Sequence, residues 1–171
     1  GSALEPYASR SPTGVPVALV GTINPVTTDQ MNESRARFGR RLQYLELDIA
    51  TALSTIEGAA DEIKRLRLLV ERALSEGYPV ILTSSRALQP VSQEDSIRIV
   101  RILSEVINDR AILSRINALF VSGAETAGEV ISTLKAAGVV NHGKFSEGIP
   151  WGIFYGGEAG GLPVVTKQGG H

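Results

Sequence analysis

The chain reads as an α/β domain: a three-layer α/β/α sandwich on a largely parallel sheet, with a C-terminal antiparallel hairpin. Three observations predict this. Short apolar runs alternate with stretches of helical period, the pattern of β–α units. The runs at 15–20, 79–83 and 118–121 lack polar alternation, as strands covered on both faces do. The last two runs, 149–155 and 162–166, are joined by a short Gly-rich loop that suits an antiparallel pair on the sheet edge.

Taken in order, residues 15–20 form a strand that starts near Pro16 and ends at Gly21. A loop rich in hydroxyls and caps spans 22–30, and a helix is expected through Phe38 and on toward Leu42. Residues 44–49 alternate apolar and acidic, the period of a half-exposed strand. Residues 57–75 form an amphipathic helix with Ile63, Leu66, Leu69, Val70 and Leu74 on one side. Its acids precede its bases, which suits the helix dipole, and Gly77 ends it. The strand at 79–83 exits through Ser84, Ser85 and Arg86. A long helical pattern from Gln93 to Arg115 has a break near Asn108 and Asp109. The strand 118–121 leads through a small-residue turn into a helix over 125–137.

Composition narrows the function classes. Hydrophobic residues make up 43% and charged residues 20%, with a formal net charge of −1. This is an ordinary globular balance that advertises neither a nucleic-acid partner nor an anionic membrane surface. The absence of cysteine excludes disulfides and thiolate metal sites and fits a reducing, cytoplasmic setting. No stretch approaches the roughly 20 apolar residues that span a bilayer. Gly1 and Ser2 resemble a cloning scar, and residues 1–13 read as tag or linker. Residues 14–171 then read as a domain cut from a longer protein.

Several motifs carry little. Gly138 to Lys144 satisfies G-x-x-x-x-G-K, but Phe145 stands where a P-loop needs Ser or Thr, and the segment follows a helix. Gly138 reads instead as a glycine just past a helix end. The four glycines between 156 and 161 do not open a helix, so no dinucleotide fingerprint is present and a flexible hairpin loop is expected. His142 reads as a surface histidine in a turn. No nucleophile elbow and no H-E-x-x-H zinc motif occurs.

Three turns carry more. Gly123 to Thr126 joins a strand to a helix start, where free N–H groups and the helix dipole hold anions. Gly123 admits a close approach, and Ser122 and Thr126 offer hydroxyls. Residue types alone leave a phosphate site and an ordinary capped helix equally open. The turn from Gly21 to Thr28 repeats the theme, and Lys167 to Gly170 puts a lysine and two glycines past another strand. Three such turns favour a nucleotide or polyanion over any single-turn reading.

Together these segments resemble the nucleotide-binding C-terminal domain of the four-carbon acid sugar kinases. The family's opening Gly-Ser-x-Ser-Pro-x-Thr is matched by Gly21-Thr22-Ile23-Asn24-Pro25-Val26-Thr27, with Gln30 following. Its Gly-Gly-Asp/Glu-Thr is matched by Gly123-Ala124-Glu125-Thr126, and its closing Thr-Lys-x-Gly-Gly by Thr166 to Gly170. Gly161-Leu162-Pro163 and Gly148-Ile149-Pro150 also fit. The similarity runs from about Val15 to Gly170. It implies ATP with Mg²⁺ as cofactors, and ATP contacts at Thr22, Asn24, Gly123, Ala124, Glu125, Thr126 and Gly169, with Lys167 assisting. It assigns no metal ligand and no catalytic residue in this chain. The catalytic base and the sugar-acid site are expected in an N-terminal domain that is absent. The fragment is therefore expected to bind nucleotide without turnover, and a homodimer is an open option. Thr22 and Asn24 replace the family's serines, Ala124 replaces its second glycine, and His171 stands where it has an aromatic residue. These departures motivate the alternative, a diverged non-catalytic module that binds a metabolite or a protein.

Overall fold

A computed structural model of the chain describes residues 13–21, 32–33, 36–37, 39–84, 91–122, 124–146 and 149–167. Seven strands form one sheet: β1 Val15–Val20, β2 Gln43–Leu47, β3 Val80–Ser84, β4 Ile116–Ser122, β5 Gly138–Ser146, β6 Ile149–Tyr155 and β7 Pro163–Lys167. Their order is β2-β3-β1-β4-β7-β6-β5. The first five in that order run parallel, and β6 pairs antiparallel with both β7 and β5. Mixed α/β architecture and C-terminal antiparallel strands are as the sequence predicts.

The described helices are α1 Ile49–Ser54, α2 Ile56–Ser75, α3 Gln93–Ile107, α4 Arg110–Leu113 and α5 Ala124–Thr133. They pack against one another, α1 on α2, α2 on α3 and α3 on α5, and so share one face of the sheet. Val17 and Leu19 of β1, Val80 and Leu82 of β3, and Leu119 and Val121 of β4 point into this main core with Leu66, Leu103, Val106 and Val130. The alternate residues Val20 and Ile81 face the other way and pack with Ala18, Leu42 and Tyr44. The loop expected over 22–30 lies outside the described residues, as does most of the helix expected through Phe38.

Local chemistry sets the boundaries. Thr55 accepts the Gly58 N–H at 2.8 Å to start α2, and Ser92 accepts the Asp95 N–H at 3.1 Å to start α3. The expected break at Asn108 and Asp109 is real: the Asp109 carboxylate accepts the Ile112 N–H at 3.1 Å and begins a second helix. Gly77 adopts φ 78°, which lets its N–H reach Leu74 C=O at 3.0 Å and close α2.

Six expectations are corrected. The strand expected over 44–49 stops at Leu47, because Asp48 turns out to cap α1, accepting the Thr51 hydroxyl at 3.1 Å. The helix expected over 125–137 ends at Thr133. Gly138 is not a helix-end glycine but opens β5; a Cβ there would stand 2.7 Å from the Tyr155 hydroxyl oxygen. His142 is exposed on that strand rather than in a turn, and its ring stacks on Trp151 at 5.0 Å between centroids. With β5 in place, the hairpin of β6 and β7 is not the sheet edge. The 156–161 loop is a built turn rather than an open one: Gly161 N–H donates to Phe154 C=O at 2.9 Å, and Ala159 is fully buried.

Candidate functional site

The parallel strands all end on one side of the sheet, and the strand order decides which of the turns that follow them come together. Strands β1, β4 and β7 are neighbours. Their registers align Val20 with Ser122, and Ser122 with Lys167. The three turns singled out in the sequence therefore leave the sheet at one level. Neighbouring strands lie about 4.8 Å apart, so the three exits span roughly 10 Å.

The crossovers then diverge. The connection after β1 runs to β2 on one side, and the connection after β4 runs through α5 to β5 on the other. A crevice at such a reversal, beyond the carboxyl ends of the strands, is where open α/β sheets bind ligands. The sequence alone does not reveal that reversal, because it is a property of strand order.

The two walls of the crevice touch. A Cβ built on Gly21 would stand 2.6 Å from Val100 Cγ2 and 2.8 Å from Thr126 Oγ1. Gly21 thus lets the end of β1 meet the first turn of α5 and the middle of α3. Thr126 is 2% exposed, so its hydroxyl lies against the β1 exit rather than out in solvent. Thr83, at the end of β3, donates its hydroxyl to Val20 C=O at 3.1 Å and is itself fully buried. This side chain pins the last residue of β1 before the turn. Its only sequence signal is a hydroxyl at the end of the apolar run 80–82. Across the outer surface, Arg101 Nε meets Glu129 at 3.3 Å and ties α3 to α5.

Of the predicted site residues, Thr126 is fully described. Ala124 and Glu125 are described as the first residues of α5, their side chains not included. Thr22, Asn24, Gly123 and Gly169 lie outside the described residues. Three of them are within two positions of a described strand end, Thr22 after Val20, Gly123 after Ser122 and Gly169 after Lys167, and Asn24 is four positions past Val20. Among the described residues no three acidic or histidine side chains gather into a metal-binding group, and no helix is long and apolar enough to cross a membrane.

Comparison with known proteins agrees with this geometry. Residues 17–171 match the family described as nucleotide-binding C-terminal domain. The chain is a nucleotide-binding C-terminal domain of the four-carbon acid sugar kinase family. A D-threonate kinase of Bordetella bronchiseptica is 33% identical over 76 residues, covering 44% of this chain and 19% of that protein. A Bordetella bronchiseptica domain of unknown function, crystallised with citrate as a domain-swapped dimer, has a TM-score of 0.72 at 23% identity over 92% of this chain and 38% of that one. A putative tRNA synthase from Salmonella typhimurium has a TM-score of 0.68 at 23% identity, over 97% of this chain and 39% of that one. These two structures share the fold. The domain spans well under half the length of each relative.

Proposed function

We propose that the crevice between β1, β4 and β7 holds the phosphates of ATP, and that the full-length protein transfers the γ-phosphoryl group to a hydroxyl of a four-carbon sugar acid. The observation that carries this reading is the alignment of Val20, Ser122 and Lys167 across three adjacent strands, each followed by a matched turn. Free N–H groups at the start of α5, around Gly123 to Thr126, would face the phosphates with the helix dipole behind them. Thr22 and Asn24 would contact them from the first turn, Gly169 from the last, and Lys167 would supply positive charge. Mg²⁺ carried on the phosphates would spread their charge during transfer.

The departure at Ala124 fits this role on the protein side. Residue 124 is the first of α5, and a helical backbone needs no glycine there. The N–H is retained, so the remaining question is how near a phosphate comes to the methyl group. Transfer also needs an oriented acceptor, which is expected from an N-terminal domain. The fragment is accordingly taken to bind without turnover, and the full-length protein to work in the cytoplasm without membrane or nucleic-acid partners.

Isothermal titration of the chain with Mg·ATP, beside a Gly123→Trp variant, tests the reading. Binding by the wild type and its loss in the variant are expected; no binding by the wild type overturns it. Phosphorylation of a tetronate-type acid by the fragment alone would overturn the no-turnover part. Asn24 and Ala124 support a second reading, a non-catalytic module for another metabolite. A thermal-shift screen giving a large shift with a non-nucleotide and none with ATP would favour it.

A further inference from the structure

Strands β1, β4 and β7 run parallel, and parallel sheets occur almost only with both faces covered. Helices α1 to α5 cover one face. On the other face, the half built on β2, β3 and β1 is closed: Ile81 is 8% and Val20 7% exposed, packed with Leu42 and Tyr44. The half built on β4, β7 and β6 is open. Phe120, on the central strand of the seven, is 38% exposed, and no described helix lies over it. We propose that this open half is the docking face for the part of the full-length protein outside this domain, which thereby carries the phosphoryl acceptor to the crevice. The acceptor part rests on the ATP reading above; the docking part does not.

The open half presents one apolar row. Ala18 is in register with Phe120, Phe120 with Val165, and Val165 with Trp151, and register partners share a face. Phe154 belongs to the main core, so its alternates on β6, Trp151 among them, face the other way. At about 4.8 Å between strands the four residues span roughly 14 Å. Val165 and Trp151 are half-buried, and the exposed His142 ring stacks on Trp151. Single exposed apolar residues are ordinary on a surface. Two aromatics and a valine aligned across adjacent strands, with no charge among them, have the composition of an interface core instead.

The position of the row argues for its occupant. Two residues further along β1, β4 and β7 on the same face come Val20, Ser122 and Lys167, the aligned strand exits. The row thus lies about 7 Å from the crevice, the rise of two strand residues. A body seated on it borders the place where the phosphates are read to sit, which is where an acceptor must be held. The relatives have chain enough for such a body, since this domain spans 38% of one structural relative and 39% of another. Inter-domain contacts within a chain bury roughly 600–1,500 Å², for which this row would form the centre. A second copy of this chain could cover the row but would bring no acceptor site, so the rest of the full-length protein answers both needs.

The chain has no cysteine, so one introduced thiol reports on the face. Phe120→Cys, and Val165→Cys as a variant that keeps the phenylalanine, are treated with N-ethylmaleimide in the 171-residue chain and in the full-length protein. Peptide mass spectrometry reads labelling at the introduced position, and sedimentation velocity reads the oligomeric state. The expected result is a monomeric 171-residue chain with a reactive thiol, and labelling slower by about tenfold or more in the full-length protein. Equal rates in the two proteins overturn the proposal. Protection within the 171-residue chain that is lost on dilution as a dimer dissociates also overturns it, because a second copy is then the occupant. Mg·ATP titration of the wild-type 171-residue chain keeps the two readings apart: absence of binding overturns the ATP reading and the acceptor part with it, while docking is decided by the labelling alone.

Discussion

Gly21→Ala isolates the contact between the walls of the crevice. The added Cβ would stand 2.6 Å from Val100 Cγ2 and 2.8 Å from Thr126 Oγ1, both closer than real Cβ contacts. Neither neighbour yields cheaply. Val100 is 4% and Thr126 2% exposed, and each sits on a helix that packs against the other. Overpacking of this kind costs about 1–3 kcal/mol. Because Gly21 does not adopt a left-handed φ, alanine also restricts the unfolded chain and returns about 0.4–1 kcal/mol. The net loss is then about 1–2 kcal/mol, a fall in Tm of about 2–8 °C for a chain of this size. The binding effect separates from the stability effect. Pushing Thr126 moves the first turn of α5, so Mg·ATP affinity measured well below Tm should also drop. Val100→Ala, which removes the clashing methyl, should make the double variant less destabilised than the two single losses sum to. An unchanged or raised Tm with full nucleotide affinity in Gly21→Ala would refute the reasoning that this glycine is there to let the walls meet.

Other perturbations probe neighbouring parts of the argument. Glu62 is 6% exposed; its carboxylate accepts both Arg65 Nε and Nη2 at 2.8 Å and the Asp48 N–H at 2.8 Å. The Arg65 hydrogen bonds hold its pKa below the ordinary 4.5, against the opposing effect of burial and with help from the Asp48 N–H. A depressed folded-state value means that this contribution is complete above the unfolded pKa and is lost as pH falls through the folded one. Glu62→Gln should therefore cost about 2 kcal/mol near neutral pH and flatten the acid limb of a urea-denaturation series below about pH 5. Thr83→Val removes the hydroxyl that holds Val20 C=O at nearly constant volume, and should lower stability by about 1 kcal/mol in the same assay. Lys167→Ala should weaken Mg·ATP binding about tenfold at low salt, with the gap to wild type narrowing as salt screens the charge.

Most of the sheet was legible because buried parallel strands announce themselves as apolar runs: β1, β3, β4, β6 and β7 fall where those runs are. The break at Asn108 and Asp109 was legible, and the structure adds that Asp109 caps the helix that follows. What failed was edge chemistry. Strand β5 pairs its Val139 with Phe154 but carries Asn141, His142, Gly143 and Lys144 on an exposed, bulged edge, so no apolar run marks it. A glycine at 138 then looked like a helix end, although it is there to clear Tyr155. At β2 the alternation through Asp48 and Ile49 was genuine but served two purposes, because the acidic side chain left the sheet to start a helix.

The site shows the same division between what is local and what is topological. Each turn has local chemistry that a sequence displays: small residues, hydroxyls, a helix start. Their convergence depends on β4 lying beside β1 and β7 beside β4, although all three are distant in sequence, and on the crossovers after β1 and β4 departing in opposite directions. No spacing rule encodes that. The contact that fixes the distance between two of the turns, Gly21 against Thr126, is likewise a property of the assembled sheet, since in sequence Gly21 only ends a strand and Thr126 only opens a helix. A weak motif at residue 123 gains its meaning from residue 21. A substitution at either position should therefore disturb nucleotide binding through the other, a coupling that a capped helix standing alone would not show.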